Sequence, residues 1–218
     1  SNGGHGSLRW NNRNNKFAAN PWFSNRNGVK QPFLNQNQLG GSMSGPVIKD
    51  KVFFYANYEA TRRRQQTTAT ATMLTESARQ GVFQYRAGGA VQSVNVLQLA
   101  GVAQDATMKA FLGQIPDASK INRTDVGDGL NTGGYQYNVR NNRDRDNVTV
   151  RGDYVFSPKH YFTGTYMWNR DITDRPDAGT DYKPVPVVQN SNRIPLASMT
   201  WRWNPKPTFT NELRGGFN

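Results

Sequence analysis

Cysteine is absent from the 218 residues, which removes disulfide frameworks and thiolate metal sites at once. Histidine is scarce: His5 and His160 stand alone, and no carboxylate spacing frames either. A metal centre needs three or four converging ligands, so both read as lumen or periplasmic-rim residues. Neither a metal nor another cofactor is expected. Long apolar runs are missing too. No stretch reaches the roughly 18 residues of a transmembrane helix, and the mean hydropathy is −0.78. Acidic residues are few, 15 against 27 Lys and Arg, for a formal net charge of +12. Such an excess raises nucleic acid as a partner. The arginines are scattered, however, apart from Arg62-Arg63-Arg64, and no helix-turn-helix, zinc knuckle or RNA-binding aromatic motif accompanies them. Charge alone is a weak signal, and no nucleic-acid partner is expected. An initiator Met and a signal peptide are also lacking. In a chain that opens mid-pattern, this reads as an internal fragment.

What is present is a rhythm of two. From Gln38 to Arg64 two extended arms flank a polar Lys49-Asp50-Lys51 turn. Leu39, Gly41, Met43, Gly45 and Val47 share one face of the first arm. Val52, Phe54, Ala56, Tyr58 and Ala60 share one face of the second. Polar residues dominate the opposite faces, although Phe53 and Tyr55 lie there. Alternation over about ten residues predicts strands with two environments, long enough to cross a bilayer when tilted. The same pattern recurs at residues 4–13, 147–156, 161–168, 197–203 and 208–217, giving seven arms.

The connections sort by length. KDK, Ser157-Pro158-Lys159-His160 and Asn204-Pro205-Lys206-Pro207 are short and carry Lys. Residues 11–37, about 65–145 and 169–192 are long and polar, and the two kinds alternate along the chain. Outer-membrane barrels have short periplasmic turns and long extracellular loops. In the longest connection the alternation fades through Gln65–Met73, Thr75 and Asp105 can cap short helices, and Gly-rich joints separate the pieces. Aromatic residues cluster beside the short turns, as an interfacial girdle would. The fold expected is all-β: an antiparallel up-and-down transmembrane β-barrel segment of about seven strands, with one long, partly helical extracellular loop.

No catalytic constellation is present. Asp144 and Asp146 sit in an RDRD run that reads as a solvated strand end, and no phosphate loop or Ser/His/Asp spacing occurs. Enzymatic activity is therefore not expected. Arg151-Gly152-Asp153 spells an adhesion motif, but it falls mid-strand with its charges on the lumen face. Glu59, Arg151, Asp153, Arg202, Glu212 and Arg214 would line the lumen, where plug contact is favoured over ligand contact. Arg62, Arg63 and Arg64 would lie near the outer rim and meet lipid phosphates.

NQLGGSMSGPVIKDKVFFYANYEATRRRQ resembles the first barrel hairpin of Oar-like TonB-dependent outer-membrane receptors. Their pattern is close to N-Q-x-G-G-x-x-G-G-P-I-x-K-D-K-x-F-F-F-x-x-Y-E-x-x-R. Gly3-Gly4-His5-Gly6-Ser7, Thr75 to Phe83 and GDGLNTGGYQYN at 127–138 are similar to other parts of that family. Ser44, Val47 and Tyr55 depart from it without altering a strand. The resemblance implies a 22-stranded barrel closed by a plug, importing a scarce, bulky ligand with energy delivered through TonB. Residues 1–218 would then be part of the barrel domain, without the plug and the C-terminal strands. Its partners would be outer-membrane lipids, its own plug and remaining strands, TonB through the N-terminal part, and an unidentified ligand. A barrel used for adhesion or surface structure, without import, is the alternative.

Overall fold

The structure is a computed structural model that describes residues 2–179 and 182–218. Seven strands lie side by side in one antiparallel sheet. In chain order the strands are β1 (His5–Asn14), β2 (Leu34–Ile48), β3 (Val52–Leu74), β4 (Val82–Ala87), β5 (Ala90–Asn95), β6 (Thr132–Arg140), β7 (Arg143–Ser157), β8 (His160–Asp174), β9 (Gln189–Lys206) and β10 (Phe209–Phe217). The main sheet runs β1-β2-β3-β7-β8-β9-β10; β6 pairs with the far half of β3, and β4-β5 is a separate hairpin. Among the described residues four α-helices interrupt the connections: α1 (Trp22–Arg26), α2 (Glu76–Arg79), α3 (Val96–Ala100) and α4 (Ala106–Gln114).

Each strand pairs with its sequence neighbour except where β4 to β6 are inserted between β3 and β7. The short reversals therefore all fall at one end of the sheet, and the long connections at the other. Asp50 takes φ 61 in the first turn, a left-handed conformation that Asp tolerates better than most residues. Register shifts sit beside every short turn, at Pro46/Ile48, Val155/Ser157 and Phe209/Asn211. Bulges of this kind gather at barrel rims, where they add twist and help the chain reverse.

The strands outrun the pattern that announced them. β3 holds 23 residues, about 75 Å at the usual rise per residue. The alternation expected to fade at Gln65–Met73 gives way to an unbroken strand, because β6 takes over as its partner from Gln66 to Leu74. β1 and β2 shorten the first long connection to 15–33. β8 and β9 shorten the third to 175–188, of which 180 and 181 lie outside the described residues. The third short turn is also displaced: Asn204, Pro205 and Lys206 remain in β9, and the chain reverses at Pro207-Thr208.

Thr75 caps α2 through a bond from the Ala78 N–H, 3.4 Å, and Asp105 caps α4 through Met108, 2.8 Å. Between them and β6, Asp128 accepts from the backbone N–H groups of Leu130, Asn131 and Thr132 at 2.7–3.0 Å. Those bonds, with one from the Asn131 amide, hold its carboxyl well below the usual carboxylate range. Gly134 lets Arg123 and Val126 approach so closely that a Cβ would lie 2.7 Å from each. This insert stacks on the end of the sheet away from the short turns.

A globular core is nearly absent. Among the described residues only Val29, Ala60, Met73 and Val139 are buried hydrophobics, while Val150 is 43% exposed. The sheet shields neither of its faces from its surroundings.

Candidate functional site

Register fixes what each face carries. One row aligns Gly6, Met43, Ala56, Val150, Tyr166 and Ala197 across six strands; the next aligns Leu8, Gly41, Tyr58, Val148, Trp168 and Pro195. Apolar rows continue toward the short turns through Phe54 and Gly152, then through Tyr154, Phe162 and Trp201. From Val52 to Ala60 this band extends about 25 Å along the strand, the scale of a bilayer's hydrocarbon.

Aromatic rings mark both margins of the band. Near the short turns Phe162 stacks on Trp201 at 6.2 Å and on Tyr154 at 6.5 Å. His160 joins this outward ladder, 5.8 Å from the Trp201 ring and accepting its indole N–H at 3.2 Å. At the far margin Trp10, Tyr58 and Trp168 lie in adjoining rows. Paired aromatic belts suit the two interfaces of a membrane, where ring bodies meet lipid and polar tips meet water.

The opposite face is largely polar, with Phe53, Val155, Met167, Ile194 and Leu196 among its apolar exceptions. All six residues expected to line a lumen fall on it. They form three groups. Arg151 holds Asp153 at 2.9–3.2 Å, and Asp153 also accepts the hydroxyls of Tyr161 and Thr163, each at 2.8 Å. The charges of the adhesion-like triplet are thus tied up by β7 and β8 themselves. Arg202 and Arg214 share Glu212, Arg202 at 3.0 Å, and the Arg202 guanidinium lies 5.9 Å from the centre of the Tyr161 ring. Glu59 pairs with Arg9, two strands away.

Beyond the apolar band, strand geometry separates residues that are adjacent in sequence. Arg62 and Arg64 fall on the apolar side, whereas Arg63 falls on the polar side. The RDRD run divides in the same way, Asp144 and Asp146 outward and Arg143 and Arg145 inward. Outward, Arg62 meets Asp146 at 2.5 Å and Arg64 meets Asp144 at 2.5 Å. Asp146 further accepts the Tyr58 hydroxyl at 2.7 Å and has Arg170 at 3.8 Å. Inward, Arg143 and Arg145 converge on Asp171, Arg145 at 2.9 Å. This inward cluster escaped the sequence reading, which took RDRD as one solvated unit. The period of two along β7 was the signal that divides it.

A family model described as an outer membrane beta barrel domain matches residues 1–218. Comparison with curated proteins gave no match, and comparison with solved structures gave none. Long antiparallel strands, an apolar band between aromatic margins, a polar reverse face and the family match agree. The chain belongs to the outer membrane β-barrel domain family, and its place is the outer membrane of a Gram-negative bacterium.

Proposed function

We propose that this sheet is part of the barrel of a TonB-dependent receptor that imports a scarce, bulky ligand, energised from the inner membrane. The observation that carries the reading is the β2–β3 hairpin, whose residues Gln38 to Arg64 resemble the first hairpin of Oar-like receptors. The open sheet supports it as well. β1 and β10 each have a partner on one side only among the described residues. An unpaired strand edge is not tolerated in hydrocarbon, and the remaining strands of the proposed receptor would complete the ring. A plug would fill a ring of that size, and the paired charges Arg151–Asp153 and Arg202–Glu212 give it a hydrophilic wall to rest on.

The test is contact with TonB in living cells. The photo-reactive residue is placed on TonB itself. Cells expressing the full-length receptor should yield a TonB–receptor adduct on illumination. Failure to form one, while a known TonB-dependent receptor in the same cells does, would reject import.

The outward rim is proposed as a contact for outer-leaflet lipid phosphates through Arg62 and Arg64, whose guanidiniums would be shared between Asp146, Asp144 and the lipid. Arg63, on the other face, would take no part. The double variant Arg62→Gln, Arg64→Gln should purify with less bound phosphorylated lipid, read by phosphate analysis. Unchanged lipid content would remove this contact.

A further inference from the structure

We propose that Arg63, Arg143 and Arg145, gathered over Asp171 on the lumen face, form a binding site for an oxyanion group (phosphate, sulfate or carboxylate) of the imported ligand. The inference rests on the import reading above and adds the chemical class of what is carried.

Charge is the first argument. Three arginines face one aspartate, which leaves two positive charges unmatched. Asp171 is already saturated: Arg143 Nε reaches it at 2.9 Å, Arg145 Nη2 at 2.9 Å and the Thr173 hydroxyl at 3.0 Å. Arg63 lies directly across from Arg143 in the β3–β7 register. Like charges in that relation repel, and Arg63 Nε is buried with no hydrogen-bond partner. A wall that needed only hydration would gain nothing from such a pair.

The surroundings on the wall do not cancel this charge. β3, β7 and β8 are interior strands, so the flanking strands are both present. On the β2 side the neighbours in register are Gln36 and Gln38; on the β9 side they are Asn190 and Asn192. None is acidic. On the outward side of the same strands Arg62 and Arg64 each meet an aspartate, Asp146 and Asp144, and Arg170 shares Asp146 at 3.8 Å. With no acidic neighbour in register on either side, an occupant of the lumen would supply the missing negative charge.

Height decides which occupant. The Thr61–Arg145–Asp171 row lies nine residues beyond Val52 on β3, about 30 Å along the strand. It stands past the Trp10–Tyr58–Trp168 margin, toward the long connections. A ligand arriving from outside meets this part of the lumen first. Arginine forks present paired N–H donors in the geometry an oxyanion accepts.

The experiment is calorimetric titration of the purified full-length receptor in detergent at low salt, with inositol hexakisphosphate as polyanionic probe. Wild type should bind, and Arg63→Gln with Arg143→Gln should weaken Kd by about tenfold or more. Arg63→Lys with Arg143→Lys keeps the charge and should recover part of the affinity, which separates lost charge from lost folding. Lys159→Gln, at the short-turn rim, should bind as wild type does. No binding by wild type, or equal affinity in the Gln double variant, overturns the proposal. The two readings fail separately: a TonB adduct without probe binding removes the oxyanion site alone. Probe binding without an adduct removes import and leaves a site of other purpose.

Discussion

Val150→Arg should cost the full-length barrel about 2–4 kcal/mol of stability in liposomes, whereas Thr149→Arg, one residue away, should change it by no more than about 0.5 kcal/mol. Val150 sits in the middle row of the apolar band, between Ala56 and Tyr166. A guanidinium there has to be drawn from water into hydrocarbon. Thr149 lies between Asn57 and Met167 on the reverse face, where an added arginine stays hydrated. Guanidinium unfolding followed by tryptophan fluorescence separates the two outcomes, since the five tryptophans include several at the band's margins. Equal costs at both positions would mean that the two faces share one environment. Insertion of this sheet across a membrane would then be untenable.

That contrast between neighbouring positions is also why the fold was legible. Inside the hydrocarbon the chain must alternate, and Val148, Val150, Gly152 and Tyr154 declare their face without help from tertiary structure. Once a strand leaves the bilayer, both faces meet water and the alternation loses its cause. The Thr67–Thr72 tract therefore gives no periodic signal, although cross-strand bonds to β6 hold it extended. β-Branched threonine favours that conformation whatever its faces meet. The β4–β5 hairpin was hidden for a different reason. Gly88-Gly89 was taken as a joint between pieces, yet both residues adopt positive φ, 59 and 79, as a two-residue hairpin turn demands.

The site was legible in proportion to the same rule. Arg151, Asp153, Arg202, Glu212 and Arg214 fell on the polar face because each lies within a clearly alternating arm. Their pairing partners were not readable, since Tyr161 and Thr163 reach Asp153 across a strand boundary. The triplet Arg62-Arg63-Arg64 looked like one basic patch, and the strand divides it between two faces. Reading RDRD with the period of its own strand separates two outward aspartates from two inward arginines. Sequence adjacency had concealed the difference in charge between the two sides of one wall.

Replacing Asp174 by Ala should loosen the extracellular insert by about 3 kcal/mol while leaving the membrane-spanning rows in place. Asp174 ends β8 beyond the apolar band and is 2% exposed. Its carboxylate takes Arg140 from the end of β6 at 2.8 and 3.1 Å, the Asn142 backbone N–H at 2.9 Å and the Gln189 amide at 2.8 Å. One acceptor thus joins the insert, the start of β7 and the start of β9. Without it, a half-buried N–H and an amide lose their partner; Arg140, more than a third exposed, can still reach water, which keeps the cost below that of a sealed ion pair. Burial alone would raise the Asp174 pKa, but Arg140, Gln189 and the Asn142 N–H together hold it below its ordinary value. A depressed folded-state pKa stabilises the fold fully above the unfolded value of about 3.9 and ceases to do so as pH falls through the folded value. Hydrogen exchange over β6 should accordingly accelerate in Asp174→Ala at neutral pH. In the wild type the same amides should lose protection only under acid conditions below that range. Protection in β6 that is indifferent both to the substitution and to acid would show that the insert is held by its Met73 and Val139 packing and not by this carboxylate.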